Sequence, residues 1–212
     1  RRSGDSEMTI RASFRALRRW PIPAILAAAV CAILLRPLYS ATNGVGEIRF
    51  EEVGERAGVR HLHHTRKFSG KNADVLGMFT SGGSSVAVGD YDNDGYDDLF
   101  VTDSDNGQPN RLYHNNSDGT FTDVTDKAGV AGGNDPLSIV ADAVWFDYDN
   151  DGWRDLLVAR FGMPILYHNE RNGTFRDVSK QSGLNKFGNT IAVITFDYDN
   201  DGKLDLLFGN YF

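Results

Sequence analysis

The chain has 212 residues, 41% hydrophobic and 24% charged, which is enough to bury a sizeable core and too ordinary a mixture for a disordered segment. Its net charge of −7 conceals an asymmetry: residues 1–36 hold seven arginines against Asp5 and Glu7, a local +5 that leaves −12 for residues 37–212. An acidic body argues against nucleic acid as the main partner, and a single cysteine, Cys31, leaves no disulfide framework and no Cys-based zinc site.

At the N-terminus Arg11, Arg15, Arg18 and Arg19 precede an apolar run from Trp20 to Leu35 that carries no charge. A basic stretch followed by an apolar helix is the pattern of an export signal. Ala41 suits the residue before a cleavage site, whereas Tyr39 is large for its position and Arg36-Pro37 interrupts the approach. Residues 1–41 are therefore read as a signal peptide or signal-anchor, and 42–212 as an exported body: periplasmic, cell-surface or secreted. Residues 1–7, ahead of Met8, are taken as upstream reading or a fragment edge.

Next come Phe50–Val59 ("FEEVGERAGV") and "HLHH", which contains His61, His63 and His64. Strand-like segments follow, "SSVAVG" (84–89) and "LFVTD" (99–103), with the loop "DYDNDGYDDL" between them. Then come "RLYHN" (111–115), an Asp118-Gly119 turn, "TFTDV" (120–124) and "TDKAG" (125–129). The same order returns as "IVADAVWF", "DYDNDGWRDL", "ILYHN", Asn172-Gly173, "TFRDV" and "SKQSG", and a third time as "IAVITF", "DYDNDGKLDL" and "LLFGN". An Asx-Gly pair between short strands signals a hairpin in which both turn residues take positive φ. "TDKAG" and "SKQSG" read as helical turns that open on Thr or Ser and stop at Gly. Four short strands per repeat of about 50 residues predict an all-β chain of propeller blades, three in number.

The three Asp-rich loops carry the chemistry. Positions 1, 3, 5 and 9 are Asp90, Asp92, Asp94 and Asp98; Asp147, Asp149, Asp151 and Asp155; and Asp197, Asp199, Asp201 and Asp205. Position 6 is always glycine, which supplies a turn that a side chain would block. Odd-numbered side chains of a tightly wound loop converge, and each pair of carboxylates about 4 Å apart costs on the order of 4 kcal/mol at an effective dielectric near 20. A hard divalent cation removes that cost, and four carboxylates plus a carbonyl suit Ca²⁺. Position 7 holds Tyr96, Trp153 and Lys203, three unrelated side chains, as expected if the ligand there is the backbone carbonyl. An EF-hand is set aside because position 12 is Val101, Val158 or Phe208 within a strand rather than Glu before a helix. The competing reading is a solvated Asp/Asn/Gly turn without metal.

These loops, with "LYHN…GTF.DV…AG(V/L)" between them, resemble FG-GAP/VCBS repeats over roughly residues 47–212. The combination is similar to the cartilage acidic protein-like (ASPIC/UnbV-associated) group, which shares the integrin α-subunit propeller fold. The resemblance implies a partial β-propeller, with the fifteen loop residues named above as Ca²⁺ ligands. It also implies an exported scaffold that binds a protein or glycan partner, while the acidic charge sets nucleic acid aside. The membrane enters only through residues 20–35. Three loops and no further domain are expected to leave the ring open within this sequence. "DLLFGNYF" (205–212) then forms a bare edge.

Other chemistry is weaker. His61 and His63 at i, i+2 would share a strand face as a transition-metal pair, but no third ligand stands at a sensible spacing, so the reading is an exposed polar loop. His114 and His168 occupy equivalent repeat positions and are read as structural. An extracellular glycan lyase or hydrolase on the same scaffold is the alternative function. It would need acid and base groups outside the loops, and the remaining acids neither pair nor cluster with histidine in sequence.

Overall fold

The computed structural model describes residues 49–73 and 83–211. The apolar segment 20–35 and the boundary after residue 41 lie outside the described residues. Among the described residues no helix is long and apolar enough to cross a membrane. The chain divides after Glu51, and the elements among the described residues lie in the unit that follows.

Among the described residues a one-turn helix, α1 (Gly54–Ala57), comes first. Strands β1 (Val86–Gly89), β2 (Asp98–Val101), β3 (Arg111–Asn115) and β4 (Phe121–Asp123) then form an antiparallel meander in the order β1-β2-β3-β4. A second one-turn helix, α2 (Thr125–Ala128), leads to β5 (Ile139–Phe146), β6 (Asp155–Gly162), β7 (Ile165–Asn169) and β8 (Phe175–Asp177). The chain continues with β9 (Gly188–Phe196) and β10 (Asp205–Asn210). All named strand pairs are antiparallel, so the all-β expectation holds, and each predicted strand falls within a few residues of an observed one.

The division into separate four-stranded units holds for the first repeat only. In the second, β6 runs on to Gly162 and its end pairs with the start of β9, Phe161 opposite Asn189 and Gly162 opposite Gly188. The second and third repeats thus share one six-stranded sheet. Phe161 packs edge-on against Phe187 at 5.0 Å beside this junction, a pairing no local pattern announces.

Strand β6 explains its own unbroken apolar run. Leu156 and Val158 face a core built with Phe100, Leu112, Trp145 and Phe175, while Leu157 and Ala159 face a second core with Phe146, Leu166 and Val193. A strand buried on both faces has no position left for polar alternation.

Two local devices differ from expectation. The hairpin turns do contain Asp118-Gly119 and Asn172-Gly173, but positive φ falls on Ser117 and Gly119, and on Arg171 and Gly173. Each turn is closed by an outer pair, Asn116 N–H to the Thr120 carbonyl at 2.9 Å and Glu170 N–H to the Thr174 carbonyl at 3.0 Å. The Asx side chain instead accepts the N–H two residues on, from Thr120 at 2.9 Å or Thr174 at 3.0 Å. Nor do Thr125 and Ser179 cap a helix: their hydroxyls accept the backbone N–H of Leu112 (2.9 Å) and Leu166 (3.0 Å), tying each connector to its own sheet. Only the first connector of that pair completes a helical turn, stopped by Gly129 at φ 78°. Gly58 ends α1 in the same way, at φ 86°, and a Cβ there would stand 2.6 Å from the Phe121 carbonyl oxygen. The earlier "FEEVGERAGV" thus packs its turn directly on β4.

Asp142, beside an irregularity in β5, ties the repeats together. Its carboxylate accepts the Ser85 hydroxyl at 3.0 Å, ahead of β1, and the Val193 N–H at 3.0 Å in β9. Asp142→Ala leaves that strand N–H without its acceptor and is expected to cost about 1–3 kcal/mol, read as a lower Tm. A melt unchanged within about a degree would show that the bridge carries no stability.

Candidate metal centres

Each Asp-rich loop joins the two strands of a hairpin: β1 to β2, β5 to β6 and β9 to β10. The three loops fold alike. The position-1 carboxylate accepts two successive N–H groups: Asp90 from Asp94 (3.2 Å) and Gly95 (2.9 Å), Asp147 from Asp151 (3.0 Å) and Gly152 (2.8 Å), and Asp197 from Asp201 (3.1 Å) and Gly202 (2.9 Å). The position-5 carboxylates of Asp94, Asp151 and Asp201 accept the N–H of Tyr96, Trp153 and Lys203 at 2.9, 2.8 and 2.8 Å. Position 9 accepts from position 2: Asp98 from Tyr91 (3.1 Å), Asp155 from Tyr148 (3.1 Å), Asp205 from Tyr198 (2.8 Å).

Two left-handed residues wind each loop. Asn93, Asn150 and Asn200 sit at φ 58°, 57° and 59°, a conformation asparagine tolerates better than most side chains. Gly95, Gly152 and Gly202 sit at 91°, 86° and 84°. A Cβ on any of these glycines would meet nothing within 4 Å, so the requirement there is backbone conformation and not space, which corrects the steric reading. The asparagines also link loop to loop: Asn93 Nδ2 donates to the Gly152 carbonyl at 3.0 Å, and Asn150 Nδ2 to that of Gly202 at 3.5 Å.

The winding brings carboxylates together three at a time. Ligand atoms lie within 4.8 Å of one another in Asp90, Asp92 and Asp98; in Asp147, Asp149 and Asp151; and in Asp197, Asp199 and Asp205. Asp94 falls with Asp92 and His114, and Asp155 with Asp149 and His168. Asp151 also pairs with the Arg171 guanidinium, and the Lys203 ammonium lies 3.9 Å from Asp201.

His114 and His168 have a place that the repeat pattern did not reveal. His114 Nδ1 lies 3.1 Å from Asp92 and 3.3 Å from Asp98, and His168 Nδ1 lies 3.2 Å from Asp155 and 3.7 Å from Asp149. The next residue in each strand finishes the support. Asn115 N–H donates to Asp98 Oδ1 and Asn169 N–H to Asp155 Oδ1, both at 2.8 Å, so "LYHN" forms the wall of the loop. The signal available in sequence was that "LYHN" recurs after the first two Asp loops.

Asp98 and Asp155 are fully buried. Burial pushes the Asp98 carboxyl up to about 6 against the pull of its N–H donors, and raises Asp155 in the same sense. Asp92 is raised by burial and by the Asp94 charge, and its Oδ1 is buried without a hydrogen-bond partner. Clustered, partly desolvated carboxylate oxygens with one left orphaned fit a hard cation of the Ca²⁺ type, which takes only oxygen ligands.

Elsewhere, "HLHH" is a loop in which Leu62 is exposed while the histidines are partly buried. His61 and His64 both turn to Asp103, at 3.7 and 2.8 Å, and His63 Nε2 lies 3.1 Å from the Ser104 hydroxyl. The expected His61/His63 pair is split, since His61 faces Asp103 and His63 faces Ser104, and an acid outside the Asp loops, some forty residues downstream, does cluster with histidine. Burial would raise the Asp103 carboxyl, but the N–H groups of Asp105, His64 and Ser104 and the His64 ring hold it below the usual range.

A profile of the FG-GAP-like repeat matches residues 90–143 and 147–208. Cartilage acidic protein 1 of Xenopus tropicalis is 32% identical over 105 residues, which is 48% of this chain and 16% of that protein. Cartilage acidic protein 1 of Homo sapiens is 36% identical over 84 residues, 40% of this chain and 12% of that protein. The chain therefore matches less than a fifth of the length of these relatives.

Proposed function

The chain belongs to the FG-GAP-like repeat family, and from that membership we propose that it is part of a calcium-binding β-propeller, an exported scaffold that binds a protein or glycan and catalyses no reaction. The observation that carries the reading is the threefold recurrence of one loop geometry, with the same carboxylate-to-N–H pattern at positions 1, 5 and 9. In all three copies that winding gathers carboxylate oxygens within 4.8 Å of one another, a repulsion that a bare turn leaves uncompensated and a cation removes.

In each loop the carboxylates at positions 1, 3, 5 and 9 would hold the ion together with the carbonyl of position 7. These are Asp90, Asp92, Asp94, Tyr96 and Asp98; Asp147, Asp149, Asp151, Trp153 and Asp155; and Asp197, Asp199, Asp201, Lys203 and Asp205. Calcium, when bound, neutralises the carboxylates and closes the hairpin. Similarity to the cartilage acidic proteins supports an extracellular setting, where affinity of about 10⁻⁴–10⁻³ M suffices. The Asn93 and Asn150 side chains couple each loop to the next, so that one filled site braces its neighbour.

Isothermal titration with calcium tests the reading: three equivalents are expected for the chain and two for Asp149→Ala. Asp149 is chosen because its side chain is 36% exposed, so its loss disturbs the coordination more than the core. No heat of calcium binding, or an unchanged stoichiometry in Asp149→Ala, would refute the assignment. Calcium-dependent retention on immobilised extracellular proteins or polysaccharides, absent in EDTA, tests the scaffold role.

A further inference from the structure

We propose that His61 and Asp103 form a seat for a divalent first-row transition metal, separate from the Asp-rich loops. The His61 side chain is only 10% exposed, and its Nε2 has no hydrogen-bond partner among the described residues. A buried ring nitrogen without a partner is costly, and structures retain one where a ligand completes it. Asp103 Oδ2 lies 3.7 Å from that nitrogen, too far for a hydrogen bond. The spacing is near the roughly 3.3 Å that separates two ligands on a tetrahedral ion bound at about 2.0–2.1 Å.

The carboxylate is built to be held still and charged. Asp103 is 1% exposed, and its Oδ1 accepts the N–H groups of Ser104 (2.7 Å) and Asp105 (3.0 Å). Its Oδ2 accepts the His64 N–H at 3.1 Å and faces His64 Nδ1 at 2.8 Å. His64 is thus a positioning residue that donates to the ligand oxygen, the usual arrangement behind a metal-bound carboxylate. His63 is occupied with the Ser104 hydroxyl, which in turn donates to the His64 carbonyl at 3.0 Å. Arg66 fixes the same strand end through the Ser104 carbonyl at 3.3 Å. One imidazole and one carboxylate, with water in the remaining positions, suit Zn²⁺, Co²⁺, Ni²⁺ or Cu²⁺, whereas calcium prefers a cage of oxygens.

The test is a Zn²⁺ titration by calorimetry of the calcium-saturated chain, repeated with Co²⁺ and followed by visible absorption. One transition-metal equivalent is expected beyond the calcium already bound. His61→Ala and Asp103→Asn should abolish it, and His64→Ala should weaken it about 10–100-fold, as loss of an outer-layer partner does. His63→Ala should leave it unchanged. Calcium uptake by His61→Ala equal to that of the parent chain shows that the fold persists. Absence of Zn²⁺ and Co²⁺ uptake, uptake undiminished in His61→Ala, or loss in His168→Ala instead would each overturn the proposal.

Discussion

Removal of calcium by EDTA is expected to lower the Tm of the chain by on the order of 10 °C. A ligand that binds only the folded state stabilises by about 1.4 kcal/mol at tenfold excess over Kd and about 2.7 kcal/mol at a hundredfold. Three sites together give several kcal/mol, and about 2–4 °C accompanies each kcal/mol in a chain of this size. The physical source is electrostatic: without the ion, Asp90, Asp92 and Asp98 share a space in which Asp98 is fully buried and Asp92 has an orphaned oxygen. The third loop should respond least per site, because Asp199 and Asp205 are exposed to water that screens them. A thermal melt indifferent to EDTA, with calcium added back as the control, would contradict the proposed role of the loops.

Trp145→Ala is expected to destabilise by about 3–5 kcal/mol whether or not calcium is present. Trp145 is 6% exposed and stacks on Tyr91 at 6.1 Å, with Phe175 at 5.8 Å and Phe100 edge-on at 6.3 Å. Its Nε1 donates to the Ala87 carbonyl at 3.3 Å, so the indole joins β5 to β1. Gly89 leaves it room: a Cβ there would stand 3.0 Å from the ring. Trp145→Phe keeps most of the buried surface and loses the hydrogen bond, and should cost about 1–2 kcal/mol less than the alanine change. Equal melts for the parent chain and Trp145→Ala would show that the first two repeats do not rely on this cluster.

Much of this architecture is legible in the sequence. The strands that flank the Asp loops are readable because Val, Ile, Phe and Leu cluster between Gly/Asp/Asn turns, and the triplicated loop is readable as a place where carboxylates crowd together. The hairpins form where the sequence marks them, by a different local device. Asx-Gly does mark them, but Ser117 and Arg171 take the left-handed conformation and the Asx side chain takes the hydrogen bond.

By itself the sequence determined the strand segments, the winding of the three loops and the residues that crowd within them, since each depends on φ, ψ and neighbours only a few residues away. Tertiary structure alone decided what approaches from afar. It placed His114 and His168 against the loops, joined β6 to β9, linked Asn93 to Gly152, and gathered His61 and His64 on Asp103. These contacts depend on strand register and on how one repeat packs against the next. Both are set by the fit of whole faces such as Leu156 and Val158 against Phe100 and Trp145, and that fit cannot be read from spacing along the chain.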